Sequence, residues 1–224
     1  MLSLPVILVN FKSYPEASGR RALELAKVAE EVSEENGVTI AVAPQMVDLS
    51  LVAREVKIPV FSQHIDTVMT GSLTGSTTLT AVKDSGAVGS LLNHAEKRMI
   101  ASQIEEIVEE MNRNQLISVV CTNNFRVSKA LSLIEPTFIA IEPPELIGGD
   151  ISVTSAKPEV ITRVVKAVDK LAPDVGILAG AGVKNGKDVK RALELGCDGV
   201  LLASGVVKSD DPRRTLEDLV SGVI

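Results

Sequence analysis

The sequence predicts an α/β protein folded as a single (β/α)8 barrel, and two observations carry that prediction. Short runs rich in Val, Ile and Leu recur eight times along the 224 residues, with amphipathic segments between them. The runs are apolar without alternation, the pattern of parallel strands covered on both faces. Strand and helix alternate at roughly 28 residues per unit, and eight such units close into a barrel. A doubly wound open sheet is the rival, but no G-x-G-x-x-G follows the first strand, and the eightfold count favours closure. Residues 1–224 are therefore read as one barrel domain without a linker.

Each element can be justified in order. The first strand, Val6 to Val9, exits into Asn10 and Lys12, and the helix after it places Leu25, Val28, Ala29 and Val32 on one face. On that helix Glu30, Glu31, Glu34 and Glu35 read as a solvated face. Val38 to Ala43 is the second strand. Pro59 to Ser62, the third, runs into Gln63, His64 and a connection that lasts to Thr78. Val88 to Leu92 is the fourth, followed by Asn93 and by His94, which is read as opening the fourth helix. Ile117 to Cys121 is the fifth. Phe138 to Ile141, the sixth, delivers Glu142 and a second long connection, Glu142 to Lys157; the next helix buries Val160, Val164, Val168 and Leu171. Gly176 to Ala179 and Gly199 to Leu202 complete the ring, each followed by a glycine-bearing turn read as opening a helix: Gly180 to Gly182 and Ala203 to Gly205.

Composition narrows the function. A formal charge of −6 and 2% aromatic residues argue against a nucleic-acid partner, which calls for a basic face. The apolar stretches are too short to span a bilayer, and the apolar start has no basic region before it, so a cytoplasmic protein with neither signal peptide nor membrane partner is expected. Cys121 and Cys197 form no C-x-x-C pair and are read as reduced, buried thiols; no metal site is expected.

Barrel enzymes build their sites where strands end, and long connections there are often functional. Collected around one pocket, the exit residues supply a cation (Lys12), an imidazole (His94), a carboxylate (Glu142) and two glycine turns after strands seven and eight, where backbone N–H groups commonly hold a phosphate. Jointly they point to acid–base chemistry on a phosphorylated metabolite. His64 competes for the imidazole role and Glu96 for the carboxylate; His64 is otherwise structural or a subunit contact, and Glu96 a partner for a helix dipole or a lysine.

Asn10-Phe-Lys12, Asn93-His-Ala-Glu96, Ile141-Glu-Pro-Pro-Glu-Leu-Ile-Gly148 and Gly180-Ala-Gly182 together resemble the triosephosphate isomerase family over nearly the whole chain, in particular its compact archaeal branch. The resemblance implies a TIM barrel and a cofactor-free isomerase that interconverts dihydroxyacetone phosphate and glyceraldehyde 3-phosphate through an enediolate, in glycolysis and gluconeogenesis. Glu142 would be the base and His94 the neutral electrophile, kept so by the dipole of the helix it opens. Lys12 would carry the positive charge beside the enediolate, and Asn10 and Phe11 would belong to the substrate site. The phosphate would rest on Ile147, Gly148, Gly182, Ala203, Ser204 and Gly205, with Glu142 to Lys157 as a closing lid and Cys121 packed under Glu142. Departures from the family pattern are Ala95, where many relatives have serine, and Gly149-Asp150 in the lid. Gly71-Ser-Leu-Thr-Gly75 is similar to the family's protruding third loop, which implies a homo-oligomer, dimer or tetramer, with Thr74 approaching a second copy's Asn10 and Lys12. Two other readings remain open from the residues: an imine-forming aldolase using Lys12, and an idle barrel that only binds a metabolite.

Overall fold

The computed structural model describes residues 2–143 and 152–224. Eight parallel strands occupy it: β1 (Val6–Asn10), β2 (Thr39–Ala43), β3 (Phe61–Ser62), β4 (Gly89–Leu92), β5 (Ile117–Thr122), β6 (Phe138–Ile141), β7 (Gly176–Gly180) and β8 (Gly199–Leu202). Their order, β2-β1-β8-β7-β6-β5-β4-β3, leaves β2 and β3 at the ends of the ladder. A parallel bridge between Val42 and Val60, with Val42 N–H donating to the Pro59 carbonyl at 3.1 Å, joins those ends and closes the barrel. The strand positions read from the sequence hold to within one or two residues.

The reason for the unbroken apolar runs is visible in the packing. Along each strand alternate side chains enter two different cores. Val6, Leu8, Phe61, Leu91, Val119, Phe138, Leu178 and Leu201 fill the barrel interior. Their neighbours Ile7, Val9, Ile40, Leu92, Val120, Ile139, Ile177 and Val200 belong to the larger apolar shell under the helices. Neither face of a strand meets water, so neither needs polar residues.

The outer layer comprises α1 (Arg20–Asn36), α2 (Leu49–Glu55), α3 (Leu79–Asp84), α4 (Ala101–Arg113), α5 (Phe125–Ser132), α6 (Val153–Ala156), α7 (Pro158–Leu171), α8 (Gly186–Glu194), α9 (Ser204–Val207) and α10 (Pro212–Ser221). Leu25, Ala29 and Val32 of α1 are buried as the periodicity requires, and α1 stops at Gly37, whose φ of 67° is the left-handed cap a glycine accepts at least cost. In α7, Val164 and Val168 are buried, but Leu171 at the last turn is 41% exposed, because the helix ends there and its face turns outward. Of the glutamates read as the solvated face of α1, Glu31, Glu34 and Glu35 are exposed and paired, Arg213 of α10 binding both Glu31 and Glu35 and Lys57 reaching Glu34, whereas Glu30 is half-buried and accepts the Lys57 N–H.

Two expected helix starts and one connection need correction. The fourth helix begins at Ala101, not at His94, because Asn93 adopts a left-handed conformation and a turn from His94 to Lys97 intervenes. The turn after β7 does not open a helix directly: α8 begins at Gly186, capped by the Asn185 side chain. The connection after β6, read without helical pattern, ends in the short α6, capped by Ser152.

A single interior side chain should measure how much the barrel depends on being filled. Leu178→Ala is expected to destabilise the fold by about 2–5 kcal/mol, the usual result of leaving a cavity in a core that cannot collapse. Urea unfolding followed by circular dichroism checks it.

Candidate active site

The strand C-terminal ends converge on one pocket lined by Asn10, Lys12, Tyr14, His94, Glu142, Ala181, Gly182, Val183, Lys184, Leu201, Leu202, Ala203 and Ser204. Of the residues singled out in the sequence, Asn10, Lys12, His94, Glu142, Gly182, Ala203 and Ser204 are brought together here. Gly205 lies one residue further along α9, close against the Val183 carbonyl. Phe11 is not at the pocket: its side chain is fully buried in the shell under the helices, while its N–H extends the β1–β2 ladder to the Ala43 carbonyl. Ile147 and Gly148, with most of the expected lid, lie outside the described residues.

Lys12 sits at φ 48°, a conformation that costs a side-chain-bearing residue about 1–3 kcal/mol. Asn10 Oδ1 accepts the Lys12 N–H at 2.9 Å, and Gln63 Nε2 donates to both the Lys12 and Ala43 carbonyls at 2.9 Å, so the surroundings enforce the turn. The reward is direction. The ammonium is carried into the pocket, where Nζ stands 2.7 Å from Glu96 Oε1.

His94 is held by its own turn. Glu96 N–H donates to Nδ1 at 3.2 Å, so Nδ1 is the acceptor and the ring proton sits on Nε2. The helix dipole expected from the sequence is not at this ring, because α4 begins only at Ala101. Nε2 faces Glu142 Oε2 at 3.5 Å, too long for a well-formed hydrogen bond.

Glu142 is 6% exposed, and its Oε2 has no hydrogen-bond partner among the described residues. Its backbone N–H donates to the Thr122 carbonyl at 2.7 Å. The Cys121 thiol interacts with the carboxylate; burial first, then the adjacent negative charge, push that thiol far above its ordinary range, so it stays protonated. Gly180 makes the remaining space: a Cβ there would come within 2.5 Å of Glu142 Cγ.

Beside this pocket, sharing Asn10, Lys12 and His94 with it, a second opening is lined by Gln63, His64, Met46, Thr77 and Lys97. His64 Nε2 contacts Asp66 Oδ1 at 3.0 Å. Burial, with repulsion from Lys97, lowers its pKa below the ordinary 6.5 against the opposing pull of Asp66. His64 thus helps to tie the neck of the Gln63-to-Thr78 connection, where Asp66 also accepts the Thr77 N–H.

Tyr14, Lys184 and Val183 were not singled out in the sequence. Tyr14, the sole tyrosine, stands two residues beyond Lys12, with Lys208 Nζ 4.6 Å from its ring centre. Its nearness to Lys12 was the available signal. Val183 and Lys184 extend the glycine turn after β7 and carry no signal of their own. Among the described residues, no helix is long and apolar enough to cross a membrane.

Because the Glu142 side chain occupies the space where residue 180 would carry a Cβ, Gly180→Ala should displace it by an ångström or so. A loss of about 10²-fold in kcat with intact circular dichroism is expected, since misplacement on that scale is enough to disrupt a reacting geometry.

Residues 5–222 match the family model described as triosephosphate isomerase. The curated triosephosphate isomerase of Methanothermus fervidus is 52% identical over 217 residues, covering 97% of this chain and 98% of the relative. That of Methanocaldococcus jannaschii is 49% identical, with 96% and 98% covered, and that of Methanosarcina barkeri 48%, with 98% and 99% covered. With a closed eightfold barrel, a carboxylate facing an imidazole across its mouth, and matches that run almost from end to end, this chain belongs to the triosephosphate isomerase family.

Proposed function

We propose that this chain, acting as one barrel domain, interconverts dihydroxyacetone phosphate and D-glyceraldehyde 3-phosphate, serving glycolysis and gluconeogenesis in the cytoplasm. The observation that carries the reading is the buried Glu142 carboxylate, with Oε2 unpartnered among the described residues and turned toward the Nε2–H of His94. A buried acceptor left without a donor is costly, and a substrate inserted between the two side chains supplies what it lacks.

In this reading Glu142 takes a proton from the hydroxyl-bearing carbon of the ketose. The C–H electrons form the carbon–carbon double bond and the carbonyl π electrons move to oxygen, giving an enediolate. The Nε2–H of His94 and the Lys12 ammonium stabilise that oxygen, in surroundings where water is scarce and charge interactions are correspondingly strong. The remaining hydroxyl proton passes to the neighbouring oxygen, and Glu142 returns its proton to the second carbon, leaving the aldose. Asn10 helps to place the substrate oxygens. The phosphate rests on backbone N–H groups at Gly182, with its φ of 74°, and at Ala203 to Gly205, where α9 begins and the first amides of a helix have no intrahelical acceptor. Residues 147 and 148 belong to the same proposed site. The aldolase alternative loses ground to the ion pair at Lys12: an imine requires a neutral amine, and Nζ is 2.7 Å from a carboxylate.

A second copy of the chain completes the proposal, as a dimer or a pair of dimers. Met69 on the third connection and Met46 and Val47 after β2 are exposed large apolar residues, and Met46 lines the opening beside Lys12.

Two measurements test the reading. In a coupled assay the chain should convert triose phosphates, and Glu142→Gln should lower kcat by about 10²–10⁴-fold, the usual worth of a positioned base. Near-normal turnover in that variant would move the base elsewhere, with Glu96 next in line. Light scattering across a concentration series should show a mass of at least twice the 23.7 kDa chain, and a monomer at every concentration would remove the assembly.

A further inference from the structure

We propose that Asn93 is a positioning residue: it clasps the loop that follows β4 and thereby holds His94 as its Nε2–H tautomer. The proposal rests on the role given to His94 above, and its main readout does not depend on turnover.

Asn93 directly follows β4, is 6% exposed, and adopts φ 56°, where a side chain is normally disfavoured and asparagine is among the few residues tolerated. Every polar group it owns is engaged. Its N–H donates to Met99 Sδ at 3.3 Å, its carbonyl accepts from Arg98 Nη1 at 2.9 Å, and its Oδ1 accepts the Met99 N–H at 3.0 Å. These three bonds close residues 94–98 into a ring. Inside that ring the Lys97 N–H reaches the His94 carbonyl at 2.9 Å, and the Glu96 N–H is brought under His94 Nδ1. The fourth bond leaves the loop: Nδ2 donates to the Cys121 carbonyl on β5 at 3.0 Å. Cys121 is the residue whose thiol supports Glu142, so one side chain anchors the imidazole loop to the strand beneath the carboxylate.

A glycine at this position would adopt the same backbone but could make neither side-chain bond. Without Oδ1 to hold the Met99 N–H and Nδ2 to hold β5, the loop keeps only its backbone closures and the Glu96 amide is less firmly fixed against Nδ1. A free neutral imidazole populates both tautomers, and the one with its proton on Nδ1 turns a bare nitrogen toward the substrate oxygen, where it repels instead of stabilising.

The chain has two histidines, so imidazole 15N spectra are simple to read, with His64→Gln assigning the pair. In the unaltered protein His94 should show one bare nitrogen, Nδ1, and one protonated nitrogen, Nε2. In Asn93→Gly, which keeps the backbone conformation accessible, the two resonances should move toward each other as tautomers mix. Turnover should fall about tenfold with KM changed by less than about twofold, the pattern of lost geometry in the reaction step. Asn93→Asp retains the acceptor for Met99 and should keep the His94 pattern. A folded Asn93→Gly protein with unshifted His94 nitrogens overturns the proposal whatever its turnover, and so does an Asn93→Asp protein that loses the pattern. Absence of isomerase activity in the unaltered chain would instead overturn the functional reading and leave the tautomer result standing.

Discussion

Keeping a carboxylate under cover at the mouth of the barrel is the constraint around which this structure is arranged. A buried acceptor without a donor costs about 1–3 kcal/mol, and more when it is charged, against net stabilities of about 5–15 kcal/mol for folded domains. The neighbours of Glu142 are explained by it. Cys121 offers a thiol that burial prevents from ionising, β7 gives up a Cβ at Gly180, and the Thr122 carbonyl fixes the backbone. None of these supplies Oε2 with a donor. The double-layered apolar packing of the strands is what lets the fold tolerate that deficit at one end.

Backbone strain is distributed in the same way. Among the described residues, five non-glycine residues have positive φ. Lys12, Asn93 and Ala181 lie just beyond β1, β4 and β7, at the end of the barrel that holds the pocket, whereas Gln115 and Glu135 lie at the opposite end, just before β5 and β6, where helices stop. Each of the first three is held from outside the turn. Gln63 grips Lys12, the Val153 N–H of α6 donates to the Ala181 carbonyl at 3.1 Å, and Asn93 is held through Met99, Arg98 and Cys121. Such conformations persist only where surroundings over-determine them. That the connections after β1, β3, β4 and β7, together with α6, all take part explains why the site cannot be assigned to any single segment.

How far the sequence can be read follows from where each determinant resides. The strands are legible because double coverage demands continuous Val, Ile and Leu, as at Val6 to Val9. The pocket's polar members are legible because closure of the barrel puts strand exits together, which gathers Lys12, His94 and Glu142 but leaves His64 and Glu96 as rivals until the Asn93-His-Ala-Glu96 pattern decides. The loop after β4 was not. Whether His94 opens a helix depends on Asn93 entering a left-handed conformation, and that is set by contacts with Met99 and with β5, distant in sequence. Phe11 failed for a different reason: adjacency to Asn10 and Lys12 does not fix direction, and alternation along the strand sends its ring outward under the helices. Leu171 satisfied the helical period, but the period says nothing about where the neighbouring layer ends.

The net charge of −6 does not decide how the molecule meets a phosphate ester. Much of the acidity stands on the outer faces of helices. Glu31 and Glu35 are matched by Arg213, Glu34 by Lys57, and Glu109 and Glu110 by Arg113, all exposed to solvent. Between exposed charges, physiological salt damps interactions beyond about 8 Å. The pocket works at contact range. Lys12 is 12% exposed in its side chain, and the backbone amides at Gly182 and the start of α9 are fixed dipoles that need no counter-charge and cannot be neutralised by a rotamer change. In the proposed reading an anion meets, at that range, the shielded Lys12 ammonium and oriented backbone, and the acidic exterior bears on solubility more than on binding.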